Sequence, residues 1–321
     1  MTGILATARA SILDRIGDTP LIEVTALAAS SGVRLWLKAE AQNPTGSMKD
    51  RMALAMIEAA EADGRLQPGQ RVVEYTGGST GVSLAFICAA KNYPLSIITS
   101  EAFSVEKRRH MAALGAELTL VESVGGGMDE SLTRRMIDKA AEIAHQTGGF
   151  QTDQLSNADQ LVAYHRMAEE ILDQTGGRVD GFIQSTGTAA CVRGVSEGLK
   201  ARGSNARIWA VEPAESAVLS GGPSGVHRIE GVGAGFIVPL WKPELVDHIA
   251  QVSTQAAMAM SRRLARELGV FAGSSTGANL VAALEMAQEL GPGANIIAPM
   301  CDSGMKYLST PLYADPESGT V

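Results

Sequence analysis

Lys49 is the residue in this chain best placed for covalent chemistry, within Asn43-Pro44-Thr45-Gly46-Ser47-Met48-Lys49-Asp50-Arg51. Asn-Pro followed by Thr-Gly-Ser forms a turn. Residues 34–40 before it alternate apolar and polar, as a strand does. Residues 50–62 after it are rich in Ala, Leu and Met and are stopped by Gly64, as a helix is. Lys49 therefore stands at the amino-terminal end of a helix, where the helix dipole opposes positive charge. That is a poor position for a structural lysine, although a side chain snorkelling from an exposed helix end would tolerate it. It suits an amine that must spend time uncharged, such as a nucleophile that forms a Schiff base.

Four glycine-containing loops offer what a phosphorylated aromatic cofactor needs. Thr76-Gly77-Gly78-Ser79-Thr80-Gly81 brings N–H groups and hydroxyls to a helix start, suited to a carboxylate. Gly187-Thr188-Ala189-Ala190-Cys191 follows a strand and opens a helix, where a phosphate needs no lysine. Gly273-Ser274-Ser275-Thr276-Gly277 again presents hydroxyls before a helix, and Gly231-Val232-Gly233-Ala234-Gly235 lets backbone approach a ligand closely. Any one of these loops could be a plain turn or cap. Neither GxGxxG nor GxxxxGK[ST] is present, which counts against dinucleotides and nucleoside triphosphates.

The elements that must carry these loops alternate between strand-like and helix-like segments. Strands are expected at 72–75, 95–99, 118–121, 181–184, 208–211 and 295–298. Helices are expected at 82–90, 105–114, 130–144 and 192–200. Such alternation predicts an α/β fold of parallel sheets wrapped by helices, with ligands at the carboxyl ends of the strands. The turn near Asn43 and the stretch around 148–154 are the expected domain boundaries. Residues 43–153 form a smaller domain carrying Lys49, residues 13–42 with 154–321 form a larger one, and residues 1–12 form an arm. Residues 216–236 make a long glycine-rich loop of the functional kind.

The 321 residues, 45% hydrophobic, suffice for a large core, and a net charge of −8 argues against nucleic acid or an anionic membrane as partner. No apolar run is long enough to span a bilayer, and the start has no secretory signal pattern. Cys88, Cys191 and Cys301 lie far apart and the five histidines are scattered, so no metal site or disulfide framework is expected; a reducing cytoplasm fits.

The order and wording of these motifs resemble the cysteine synthase and cystathionine β-synthase family of fold type II pyridoxal-phosphate enzymes, nearly end to end. Besides residues 43–51, the likeness rests on Ser11-Ile12-Leu13-Asp14, Gly17-Asp18-Thr19-Pro20-Leu21 and Val211-Glu212-Pro213-Ala214-Glu215-Ser216. Val218-Leu219-Ser220-Gly221-Gly222, residues 231–236 and Tyr307-Leu308-Ser309-Thr310 complete it. The resemblance implies a tryptophan synthase β-subunit-like fold, with the active site between two parallel-sheet domains and pyridoxal 5′-phosphate as cofactor. Lys49 matches the lysine that holds the cofactor in a Schiff base and shuttles protons. Thr76, Gly77, Gly78, Ser79 and Thr80 match the loop that grips the substrate carboxylate, assisted by Gln154. Gly187, Thr188, Ala189, Ala190 and Cys191 match the phosphate cup, and Ser275 matches the hydroxyl facing the pyridine nitrogen.

A neutral serine there holds a proton poorly, which favours prompt loss of a β leaving group over transamination or racemisation. The implied reaction is β-replacement on an O-activated L-serine through an aminoacrylate, with sulfide giving L-cysteine as in cysteine synthase (O-acetylserine sulfhydrylase). The alternatives are a cystathionine- or diaminopropionate-type product, a dehydratase, or a weakly catalytic paralogue that binds a partner. The family is commonly a homodimer, and its active site can accept the carboxyl-terminal tail of serine acetyltransferase. The chain ends soon after Tyr307-Leu308-Ser309-Thr310, which leaves no room for the regulatory tail of some cystathionine β-synthases.

The sequence departs from the family where Gly77 replaces serine, Ser79 replaces an asparagine that touches the cofactor's 3′ oxygen, and the cup reads Gly-Thr-Ala-Ala-Cys in place of Gly-Thr-Gly-Gly-Thr. Alanine still donates its N–H if φ stays negative. Exchanging threonine for Cys191 removes a hydroxyl donor, at a cost of about 1.5–3 kcal/mol for a bond to a charged group. A catalytic thiol would need an activating base, so Cys191 and Cys88 read as packing residues, with Cys301 near the cofactor.

Overall fold

The computed structural model describes residues 11–123 and 129–314. In chain order the regular elements begin with β1 (Leu21–Glu23), β2 (Arg34–Lys38), α1 (Lys49–Asp63), β3 (Val72–Tyr75) and α2 (Ser79–Lys91). They continue with β4 (Leu95–Thr99), α3 (Val105–Ala113), β5 (Glu117–Leu120), α4 (Glu130–Thr147) and β6 (Phe150–Gln151). The second half adds α5 (Leu161–Gln174), β7 (Gly181–Ser185), α6 (Ala190–Ala201) and β8 (Arg207–Pro213). It closes with β9 (His248–Val252), α7 (Thr254–Leu268), α8 (Ser274–Leu290) and β10 (Asn295–Pro299).

The strands form two sheets. The smaller has the order β5-β4-β3-β6 and is wholly parallel; the larger runs β1-β2-β10-β7-β8-β9. One pair departs from the parallel expectation: β1 runs antiparallel to β2, with Leu21 opposite Lys38. The 3-10 turn Thr25–Ala28 and the short link around it are too brief for a crossover helix, so the chain can only fold back on itself. Three strands lack a sequence signal. β6 has two residues, β1 has three, and β9 carries His248 and Gln251 on an edge.

Burial explains the rest. The four residues of β3 and the five each of β4, β7 and β10 are all buried, as expected for parallel strands covered on both faces. Helix crossings are close where glycine permits. A Cβ on Gly194 of α6 would stand 2.6 Å from the Tyr164 Cβ of α5, and one on Gly277 of α8 would strike the Ala257 carbonyl of α7. Helix α1 packs on α2 of the smaller layer and on α5 of the larger, so Lys49 starts an element that touches both. Of the expected loops, 125–127 lies outside the described residues, as does most of the arm 1–12.

Candidate active site

The Lys49 loop is held from both sides. Asp50, fully buried, accepts the Thr45 amide at 2.8 Å and the hydroxyls of Thr45 (2.5 Å) and Ser83 (2.6 Å), fastening the loop to α2. Burial raises the Asp50 pKa against these three donors. On the other side, residues 46–48 pair with 301–303: Met48 N–H donates to the Cys301 carbonyl at 2.9 Å, and Ser303 N–H to the Gly46 carbonyl at 3.0 Å. Lys49 itself is half-buried at the first position of α1, and its N–H donates to Ser47 Oγ.

A cleft brings Lys49 together with Thr76, Gly77, Gly78, Ser79, Thr80, Gln154, Gly187 and Thr188. These come from the ends of β3 and β7 and the stretch after β6, the carboxyl edge where open α/β sheets take ligands. Gln154 is locked in place. It accepts from Thr80 Oγ1 at 2.7 Å, donates Nε2 to the Tyr75 carbonyl at 2.7 Å, and donates its amide to Glu74. Burial pushes Glu74 up to about 8 even though Thr152, Gln154 and Tyr75 all donate to it.

Helix starts differ by location. α3, α4 and α7 are capped by the side chains of Ser104, Asp129 and Ser253, whereas α1, α2, α5, α6 and α8 have no side-chain cap, and of these α1, α2 and the Gly187-Thr188 turn into α6 face the cleft. At α1 the Lys49 N–H goes to Ser47 Oγ, and at α6 the Ala190 N–H goes to Thr188 Oγ1 at 3.3 Å, so the anion-facing donors are those of the α2 start and the N–H groups that follow Ala190. At α6 the approach is close: a Cβ on Gly187 would stand 2.4 Å from the Gly231 carbonyl, so only glycine fits there. This donor set suits the phosphate of pyridoxal phosphate, and Lys49 in the same cleft suits its aldehyde.

Four predicted site residues do not line the cleft. Ala189, Ala190 and Cys191 lie behind it at the α6 start, and Ser275 is buried at the α8 start beside Cys301. Ala189 corrects the expectation of a negative φ. It stands at +64°, left-handed, because the chain must turn sharply from Gly187 into α6. Ser79 does line the cleft, but its hydroxyl donates to Asp302 Oδ2 at 3.1 Å, which also accepts from Tyr307 at 2.7 Å. Burial drives the thiols of Cys191 and Cys301 well into the protonated form.

Sequence reasoning missed Phe103. It lines the cleft with Tyr75, Met136 and Leu155, and its ring lies where a Cβ on Gly77 would go, 2.7 Å from Cε1. Its position just beyond the end of β4 is the signal that could have found it. Lys306 was missed too. It is buried, its Nζ bonds to nothing among the described residues, and burial lowers it to about 8.

A lysine facing two glycine loops that open helices, across one inter-sheet cleft, fits a pyridoxal-phosphate enzyme of the two-sheet type. The family described as pyridoxal-phosphate dependent enzymes matches residues 12–302. A cysteine synthase of Staphylococcus aureus (strain N315) is 40% identical over 306 residues, covering 95% of this chain and 97% of its own. Cysteine synthase of Entamoeba histolytica superposes with a TM-score of 0.90 at 36% identity, covering 100% of this chain and 95% of that one. The O-acetylserine-dependent cystathionine β-synthase of Helicobacter pylori does so with 0.88 at 31% identity, covering 95% and 98%. The chain belongs to the pyridoxal-phosphate-dependent enzymes, within their cysteine synthase and cystathionine β-synthase family.

Proposed function

We propose that this enzyme performs β-replacement on O-acetyl-L-serine, with sulfide entering and L-cysteine leaving. The observation that carries the reading is the convergence of Lys49, the 76–80 loop, Gln154 and the Gly187-Thr188 turn before α6 on one cleft. Similarity to cysteine synthases supports the substrate. When bound, pyridoxal phosphate supplies the electron sink that eases loss of the Cα proton and the β leaving group.

The chain's own groups do the rest. Lys49 Nζ would hold the cofactor until the substrate amine displaces it, and the freed amine would then take the Cα proton and later return one. Thr76, Gly77, Gly78, Ser79 and Thr80 bind the substrate carboxylate through α2 N–H groups and the Thr76 hydroxyl, while the Ser79 and Thr80 hydroxyls donate to Asp302 and Gln154 and fix the loop. Gly187, Thr188, Ala189, Ala190 and Cys191 would hold the phosphate through backbone N–H groups at the α6 start, and Ser275 would offer its hydroxyl to the cofactor's ring nitrogen. The apolar wall of Phe103, Met136 and Leu155 excludes water and suits a small uncharged nucleophile such as hydrogen sulfide better than a second zwitterionic amino acid.

Residues 43–153 act as the smaller, closing domain against 13–42 with 154–321. A mixed groove, with Leu54, Ala55 and Val162 beside Glu58 and Arg166, is the homodimer seat we favour. Three buried free thiols, and no described helix long and apolar enough to cross a membrane, support a cytoplasmic site of action. A serine acetyltransferase tail remains a candidate partner for the cleft.

Borohydride reduction of the yellow, cofactor-loaded enzyme followed by peptide mapping tests the assignment. The added mass is expected on Lys49, and Lys49→Ala is expected to lose about 10²–10⁴-fold in cysteine formation. Label on any other lysine sinks the assignment. Pairing O-acetylserine with sulfide, homocysteine and ammonia separates the possible nucleophiles.

A further inference from the structure

A second cavity, of about 400 Å³, lies on the far side of Phe103, whose side chain is the wall it shares with the cleft. Its lining comes from the start of α3, residues 227–230, the start of α8, and residues 307–312. Two polar atoms there lack any partner among the described residues. One is the Ser274 hydroxyl, on a residue 1% exposed; the other is Nε of Arg108. A buried group without a hydrogen bond costs about 1–3 kcal/mol, so such pairs point to something that binds them.

Every other polar group in the cavity with charge to offer is occupied, apart from one more cation. Glu230 takes the Lys107 ammonium at 2.6 Å; Glu101 takes the Ser100 hydroxyl and the Ser123 amide, and it also feels the charge of Arg108, which has no hydrogen bond to it. His227 accepts from the Ile229 amide through Nδ1 and meets the Gly233 carbonyl through Nε2, and burial favours its neutral form. Arg228 is exposed at the rim, and among the described residues its guanidinium is in no ion pair. Helix α8 has no side-chain cap, so its positive end adds to the two guanidiniums. What the cavity leaves unspent are the Ser274 hydroxyl, Arg108 Nε and the Arg228 charge.

We propose that this cavity is a second, non-catalytic site for a small oxyanion, a carboxylate, sulfate or phosphate, held by Arg108, the Ser274 hydroxyl and the start of α8. Its occupant reaches the active cleft through one side chain. Phe103 forms a wall of both spaces, and its ring lies against Gly77 of the carboxylate loop. An anion that shifts Phe103 therefore changes the grip on the amino-acid substrate, which makes it an effector.

The test uses the cofactor-loaded enzyme, so that the phosphate region of the cleft is already filled. Calorimetric titration with sulfate, inorganic phosphate and succinate, at constant ionic strength set with chloride, is expected to give saturable one-to-one binding for at least one of them. Arg108→Gln and Ser274→Ala are each expected to weaken it about tenfold or more while the cofactor absorbance, the control for an intact cleft, is unchanged. The tightest of the three anions separates a carboxylate ligand from sulfate or phosphate. No saturable binding up to tens of millimolar, or undiminished binding in both variants, overturns the site. KM for the amino-acid substrate is expected to change with the anion in the wild type and not in Arg108→Gln; an unchanged wild-type KM removes the effector role.

Discussion

Gly77 and Phe103 explain each other. The serine usual at position 77 cannot be accommodated here, because its Cβ would enter the Phe103 ring. Overpacking of this kind costs about 1–3 kcal/mol. Gly77→Ser should therefore lower the melting temperature and raise KM for the amino-acid substrate. Adding Phe103→Ala should recover much of the KM, by making room for the new side chain. A Gly77→Ser enzyme as stable as wild type would contradict the contact.

Ala189 tells the opposite story. Its φ of +64° is a conformation that glycine adopts freely and alanine adopts at a cost of about 1–2 kcal/mol. The less constrained unfolded chain of glycine offsets part of the gain, so Ala189→Gly should stabilise by up to about 1 kcal/mol, read by denaturant midpoint. The sequence names both departures from the family pattern. It could not show that one is filled by an aromatic ring distant in the chain and the other leaves strain behind.

At the scale of elements, α1 is tied to β2 and α5 by buried charges. Arg51 forms a salt bridge with Glu40 at 2.7 Å and with Glu170 at 2.6 Å, and Lys38 reaches Glu170 at 2.6 Å. Because α1 begins at Lys49, this cluster sets how the nucleophile's helix sits on the larger layer. Arg51→Leu leaves Glu40 buried and unpaired, and should destabilise by about 3–5 kcal/mol. A smaller loss in chemical denaturation would show that Glu40 finds another partner.

Burial raises the Glu170 pKa, but hydrogen bonds and charge from Arg51 and then Lys38 outweigh it, bringing the group down to about 2. Its folded value lies below the ordinary 4.5, so its contribution is present above about pH 4.5 and is lost as pH falls toward 2. Glu170→Gln should flatten the acid limb of the stability–pH curve in that window. Arg51 was legible as part of the lysine motif. Its partners were not, since Glu170 lies 119 residues away in the chain.

For the whole molecule, the contacts between layers are few and polar near the cleft mouth. Lys107 on α3 donates to Glu230 and to Tyr307 Oη at 3.1 Å, Ser309 bonds Glu106, and Ser79 bonds Asp302. A charge-assisted bond contributes about 1.5–3 kcal/mol. Glu230→Gln should therefore raise amide exchange in α3 by roughly ten- to a hundredfold while exchange in β7 and β10 stays slow. Equal acceleration in both sheets would mean that the layers open as one body.

What the sequence determined by itself is the set of local features: a lysine opening a helix, glycine loops at strand ends, and strands at 72–75 and 95–99 with the bounds observed. Hydrophobic period, turn chemistry and helix capping act over a few residues, so they can be read along the chain. The tertiary structure alone brought Phe103 to Gly77, Ser79 to Asp302 and Glu170 to Arg51, and it added the edge strands β1, β6 and β9. Those pairings join residues that are distant in sequence, and they exist because burying charge and apolar surface is favourable only once both layers have closed around it.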